Sequence, residues 1–432
     1  MIYKLSDLAT YISEKINTSD IHLDKYISTE NMLPNKGGIV LASALPSSNK
    51  TNSFKSGDIL FSNIRTYFRK VWFATFEGGV STDVLVIRCL NNKKIYDQYL
   101  YYQLTNDSFI NFTVQTSNGA KMPRGDKSAI MEYEFDIPSL PIQKKIAHIL
   151  STLDDKIELN HKMNQTLESM AQALFKSWFV DFDPVHAKAN ASSDADYDQI
   201  TKDLGISREI FDLFPNEFEE SELGMIPKGW KWRKITEVCS RIGSGGTPKR
   251  KQEDNFNGDI NWFTTKELKN NFILNSLETI TKKGLSSSSA KLFPVNSVVM
   301  AIYAAPTVGR LGVLTHESSF NQAACGFVAD EDNISYEFLF LYLKERNKFL
   351  NNLANGAAQQ NLNVGLVKNL DVLIPHESIM GEFKTIVESI FCQIKTDTQQ
   401  TTTLQKTRDT LLPKLLSGEL DVSELELDHV AY

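Results

Sequence analysis

The chain repeats itself. Ile137-Pro138 and Ile374-Pro375 stand 237 residues apart. The same offset pairs Asn118-Gly119-Ala120 with Asn355-Gly356-Ala357, Ile157 with Ile394, Leu167 with Leu404 and Leu174 with Leu411. An offset of 239 aligns YLYYQL (99–104) with FLFLYL (338–343) and FKSGDIL (54–60) with FPVNSVV (293–299). A drift of two residues over that span is one small gap, so the chain is a tandem duplication. This constrains the fold more than any total does. Whatever one copy forms the other must form too, and 432 residues exceed one ordinary core.

Each copy follows one grammar. A strand-rich segment with apolar alternation and Gly/Asn/Ser turns, such as 57–89, comes first. A short aromatic helix follows, then a polar loop holding Asn-Gly-Ala, a strand ending at Ile-Pro, and a long helix. The prolines suit that junction, because proline disfavours helix in the residue before it and is tolerated in a first helical turn. The helices carry heptads. Ile157, Asn164, Ala171 and Trp178 recur every seven residues with Leu167 and Leu174 between them; Ile394, Thr401, Arg408 and Leu415 do so with Leu404 and Leu411 between. An amphipathic helix lying on its own domain would give a similar stripe, but two homologous stripes in one chain favour packing against each other. Asn164 and Arg408 weaken such a seam and would fix its register. The stretch 157–180 spans about 36 Å at 1.5 Å per residue. One turn of B-DNA is about 34–36 Å. Two similar heads on such a helical pair read as a ruler for duplex DNA.

The totals add limits. At 41% hydrophobic and 23% charged the composition is that of a soluble globular protein. No apolar run reaches the roughly 20 residues of a membrane span, and the amphipathic, charged start MIYKLSDLATYISEKI does not read as a signal peptide. Four scattered cysteines (Cys89, Cys239, Cys325, Cys392) suggest a reducing interior without a zinc site, hence a cytoplasmic location and no membrane contact. The net charge of −7 is unevenly spread. Residues 1–140 carry 15 Lys+Arg against 14 Asp+Glu, and 230–372 carry 17 against 13. The acid lies in 141–229 (9 against 16) and 373–432 (5 against 10). Local fields govern DNA binding, so the global sign does not exclude it.

No nucleophile–base set, nucleotide-binding loop or methylase motif stands out. RIGSGGTPKRK (241–251) lacks the Lys-Ser/Thr of a phosphate loop and reads as a turn with basic, phosphate-touching residues. Asp259, Glu267 and Lys269 echo a nuclease set, but such triplets arise by chance. Asp181, Asp183 and His186 read as a helix end running into a linker rather than a metal site. The aromatic rows Tyr99, Tyr101, Tyr102 and Phe338, Phe340, Tyr342 read as core rather than base-stacking platforms. The acidic segment 187–222 reads as a linker with a short helix.

Three stretches resemble the specificity subunit of type I restriction–modification systems: FDIPSLPIQKKIAHILSTLDDKIELNHKMNQTLESMAQALFKSWFVDFDPV, ELGMIPKGWKWRKITEVCSRIGSGGTPKR and LQKTRDTLLPKLLSGELDV. The resemblance covers essentially the whole chain. It implies an α+β fold with two tandem target-recognition domains joined by two long helices forming an antiparallel coiled coil. The expected boundaries are 1–140 for the first recognition domain, 141–184 for the central helix, 185–225 for a linker, 226–376 for the second recognition domain, and 377–432 for the distal helix and tail. The first copy lacks the MIPKGWKW lead, so its opening strand is expected to be shorter. The resemblance further implies a non-catalytic chain that reads an asymmetric bipartite target in double-stranded DNA. It would dock two methyltransferase subunits and join restriction endonuclease/translocase subunits. No cofactor would be bound by this chain; S-adenosylmethionine, and ATP with Mg, would belong to the partners. The rival readings are a free-standing DNA-binding regulator and a self-sufficient nuclease.

DNA contacts would then come from polar and basic loops, since Arg and Lys pair phosphates or guanine edges and amides pair adenine edges. In the first head the candidates are Arg65, Arg69, Lys70, Asn118, Lys121, Arg124 and Lys127. In the second they are Lys249, Arg250, Lys251, Thr264, Thr265, Lys266, Gln359, Gln360, Asn361 and Asn363.

Overall fold

The structure, a computed structural model, describes residues 2–90, 93–303, 307–356 and 362–426. It divides into two compact units, Met1–Glu158 with Thr402–Tyr432, and Leu159–Thr401.

In the first unit a four-stranded antiparallel sheet runs in the order Ala9–Tyr11, Val84–Cys89, Ile59–Ser62, Val71–Phe73. Ile59–Ser62 and Val84–Cys89 are almost wholly apolar because both faces are covered, by helix on one side and a second four-stranded sheet on the other. The second unit repeats the order with Cys239–Ser244, Ala324–Ala329, Val298–Ala301 and Leu311–Leu314, then adds Asn271–Ile273 at the edge. In both units the strand before Ile-Pro pairs antiparallel with an opening strand, Ile2–Lys4 on Glu134–Asp136 and Lys231–Lys234 on Asp371–Ile374. The opening strand is 3 residues in the first copy and 4 in the second. The aromatic rows are core: Tyr99, Tyr102, Phe338, Phe340 and Tyr342 are all buried.

The long helices are Leu140–Phe179 and Glu377–Leu416, 40 residues each. That is about 60 Å apiece, so the 36 Å expected from the heptads alone measured only part of the element. Helix starts almost at the Ile-Pro junction, with Pro141 in the first turn, where a missing N–H costs nothing. The two pack antiparallel, since rising numbers on one meet falling numbers on the other. In the second unit Trp178 lies against Phe383 with ring centroids 5.8 Å apart, and Asn164 Nδ2 donates to Thr398 Oγ1 at 3.3 Å. In the first unit an Arg408 guanidinium N–H donates to Asp154 at 2.6 Å. Ile157, Ala171, Trp178, Ile394, Thr401, Arg408 and Leu415 are buried; Asn164, Leu167, Leu174, Leu404 and Leu411 are half-buried.

Two further seam positions escape an apolar count. Asn160 is fully buried and its Nδ2 contacts the Asp397 carbonyl oxygen at 3.5 Å, Gln400 Oε1 at 2.9 Å and Thr401 Oγ1 at 3.3 Å. Asn160 and Asp397 are 237 apart, the equivalent position of the two copies. The first unit carries a charged counterpart. Asp154 takes the Arg408 guanidinium and the Tyr102 hydroxyl (2.9 Å), while Asp409 takes Arg408 at 3.0 Å and Lys36 at 2.7 Å. Burial pushes the Asp409 carboxyl up, but the bond to Lys36 and the two nearby cations prevail and hold it below the usual range.

The segment 185–225 is more ordered than a linker with one short helix. It carries most of helix Asp183–Asn190, helices Asp194–Leu204 and Arg208–Leu213, and the hairpin Phe218–Ser221/Gly224–Pro227. Ser193 with Asp196 forms a capping box, and Gly205 closes that helix at φ 65. No helix of the described residues is long and apolar enough to cross a membrane.

Candidate nucleic-acid interface

In the first unit the backbone joins two candidate stretches that lie far apart in sequence. Ile64 bridges Arg124, the Arg65 N–H donates to the Pro123 carbonyl at 2.8 Å, and the Gly125 N–H donates to the Asn63 carbonyl at 3.1 Å. Asn118 and Arg124 exchange both backbone bonds, closing the loop that carries Lys121. Gly119 sits there at φ 98, a region only glycine enters freely. Asp126 caps helix Lys127–Met131, and the Ala129 and Ser128 N–H groups hold its carboxyl below the usual range. Arg65, Lys121, Arg124 and Lys127 therefore stand around one rim, with Lys121, Arg124 and Lys127 exposed.

Not every candidate is unengaged. Arg69 pairs with Asp107 at 2.7 Å, and Arg124 with Asp83 at 3.0 Å. Lys70 donates to the Thr29 carbonyl, and burial lowers its ammonium from the usual value. Sequence reading missed what stands between the two arginines. Arg65 (φ 50) and Arg69 (φ 53) bracket a tight turn, Thr66–Phe68, that presents Tyr67 (47% exposed) and Phe68 (39%) in contact at 4.7 Å between centroids. An aromatic pair inside RTYFRK was the available signal. Arginine beside exposed aromatics suits phosphate contact with apolar contact to bases.

In the second unit the glycine-rich stretch is structural. A Cβ on Gly245 would fall 2.0 Å from the Phe320 carbonyl oxygen, and one on Gly246 2.3 Å from the Ala290 nitrogen. Trp262 Nε1 donates to the Gly246 carbonyl at 2.9 Å. Beyond this turn Lys249, Arg250 and Lys251 are exposed, with Arg250 bonded to Glu278 at 3.0 Å and its guanidinium 5.0 Å from the Phe256 ring centroid. Thr264 and Glu267 form a capping box, bonded at 2.7 and 2.8 Å, and Thr265 is buried, which leaves Lys266 as the exposed member of that trio. Glu267 also accepts from the Leu277 N–H at 2.8 Å, so this carboxylate of the nuclease-like triplet is a cap. Asn363 caps helix Val364–Lys368 through the Leu366 N–H at 2.8 Å. Gln359, Gln360 and Asn361 lie outside the described residues.

The third suspected cluster also disperses. Asp181 pairs with Lys176, Asp183 opens a helix, and His186 packs on Phe218 with centroids 4.5 Å apart. Among the described residues no group of His, Cys, Asp and Glu is arranged to hold a metal ion.

Residues 1–169 and 227–406 match the family model described as the type I restriction modification DNA specificity domain. The HindI type I restriction enzyme specificity subunit of Haemophilus influenzae is 30% identical over 459 residues, covering 97% of this chain and 99% of that protein. The MjaIX specificity subunit of Methanocaldococcus jannaschii is 27% identical over 340 residues, covering 77% and 71%. Among solved structures, the S subunit of a type I restriction–modification system from M. genitalium superposes with a TM-score of 0.57 at 14% identity, over 96% of this chain and 95% of that one. That likeness is one of fold.

Proposed function

Because the chain belongs to the type I restriction–modification DNA specificity family, we propose that it reads an asymmetric, bipartite sequence in double-stranded DNA and directs partner subunits to methylate adenine or cut there. One observation carries this reading: two domains of the same strand order, each mounted through an Ile-Pro junction on one of two antiparallel helices. The heads differ where they would touch bases, NIRTYFRK (63–70) against AIYAAPTVGR (301–310), which supports an asymmetric target. The helical pair is the element that fixes the spacer between half-sites.

The chain itself is non-catalytic in this reading and binds no cofactor. Two modification subunits supply the chemistry with S-adenosylmethionine, and restriction/translocase subunits use ATP with Mg. The complex acts on cytoplasmic DNA. Co-expression with a candidate modification subunit, followed by methylome sequencing, tests the proposal. A split motif with modified adenine in both halves is expected, absent when this chain is omitted. No new methylation would sink it.

A narrower expectation concerns the rim of the first head. Lys121→Ala is expected to weaken DNA binding about equally across sequences. It should flatten the slope of log K against log salt by about 0.9, one phosphate contact. An unchanged slope would remove Lys121 from the interface.

A further inference from the structure

A cavity of about 340 Å³ opens in the second unit. Its walls are the end of strand Ala324–Ala329, the turn before Val298–Ala301, the first turn of helix Tyr336–Glu345, and one face of the helix Glu377–Leu416. Three carboxylates line it, Glu331, Glu337 and Glu388, against a single cation, Lys384. Lys384 is bonded to Glu331 at 2.8 Å. Glu337 is 2% exposed and its Oε2 has no hydrogen-bond donor.

A buried carboxylate oxygen without a donor is costly. Burial raises the Glu337 carboxyl above its usual range; the Ser335 hydroxyl, its own backbone N–H and the Tyr336 hydroxyl oppose the rise, and Glu331 adds a little to it. The field of all three carboxylates reaches Lys384, whose ammonium is held above its usual value first by the Glu331 bond. The cavity is therefore an anionic site in which one cation already sits at the edge. The carboxylates come from different walls and form no metal-holding group. An ammonium, with three diverging donors, suits such a spread.

The duplication supplies a control. At the offsets that align the copies, Glu337, Lys384 and Glu388 correspond to Gln98, Ala147 and Ser151. Ala147 and Ser151 are buried, and none of the three is charged. The charges at these three positions belong to the second copy, so the shared scaffold does not require them.

We propose that this cavity binds the terminal ammonium of an alkylamine, with Glu337 receiving it at the back and the exposed Glu388 at the mouth. The amine is either a free polyamine or a lysine side chain of a partner subunit. Calorimetry on the purified full chain distinguishes them, with n-butylammonium and spermidine as probes and butyrate as the anionic control. A free-amine site predicts binding of both amines, weakened tenfold or more by Glu337→Gln and less by Glu388→Gln. A partner lysine predicts no amine binding to the isolated chain, but tenfold weaker association of the Glu388→Gln chain with the modification subunit at matched salt. Because Glu388 is exposed, that variant keeps the test open should Glu337→Gln fail to fold. Amine binding and subunit association both unchanged in Glu388→Gln and in folded Glu337→Gln would overturn the proposal. Only the second arm rests on the proposed function, and the two fail differently. The wild-type chain must direct methylation at a split motif whether or not the cavity takes an amine.

Discussion

Arg408→Ala is expected to lower the stability of the first unit by about 1–3 kcal/mol, the cost of leaving partly buried acceptors without their donor. The side chain is 6% exposed, and its guanidinium serves both Asp154 (2.6 Å) and Asp409 (3.0 Å). Truncation leaves Asp154, also bonded to the Tyr102 hydroxyl, without its bonded cation. Asp409 keeps Lys36. The loss is therefore expected to fall mainly on the Asp154 side. Replacing Arg408 with Met and Asp154 with Leu together should recover most of it, because well-packed apolar pairs are often as stable as the ion pairs they replace. Denaturant unfolding of the single and double variants measures both. A loss below about 1 kcal/mol in Arg408→Ala would show that the network is solvated in solution.

Exchanging residues 230–372 for the corresponding head of another specificity subunit is expected to change one half of the methylated motif completely. The other half and the spacer should stay as they were. Each head carries its own sheet, its own clamp strand pair and its own Ile-Pro mount, so the graft enters and leaves the helical frame at Lys231–Lys234 and Asp371–Ile374. Methylome sequencing of cells carrying the chimera reads the outcome directly. If both half-sites changed, the heads would not be independent readers. A changed spacer would mean that the head, rather than the helices, sets the distance.

Much of this architecture is legible in the residues, because duplication doubles every weak signal. One Ile-Pro boundary means little; two at a fixed offset, each followed by a heptad stripe, define an element. Of the seam positions named from the heptads seven are buried and five half-buried, since a period of seven is a property of the helix itself. What escaped was polar or tertiary. Asn160 and Asp397 occupy seam positions yet read as surface residues to any apolar count. The 36 Å span covered only the heptad stretch 157–180, because residues 140–156 pack within the first head as well and do not show a clean heptad.

The rim of the first head shows the other limit. Charge in a loop says nothing about where the side chain points. Lys70 and Arg69 are spent on Thr29 and Asp107, and Thr264 on its own cap. The juxtaposition of Arg65 with the Lys121 loop depends on backbone bonds across some sixty residues, which no local pattern encodes.

The Arg408–Asp154 pair also bears on heredity. At the 237-residue offset, Arg408 corresponds to Ala171 and Asp154 to Phe391, so the two copies of the helix have diverged into lock and key. A chain assembled by unequal recombination from two first copies would set Asp154 opposite alanine, and one from two second copies would set Arg408 opposite phenylalanine. Either places a desolvated charge against hydrocarbon. The gene can trade its reading heads freely, but its two helical spans are bound to be inherited together.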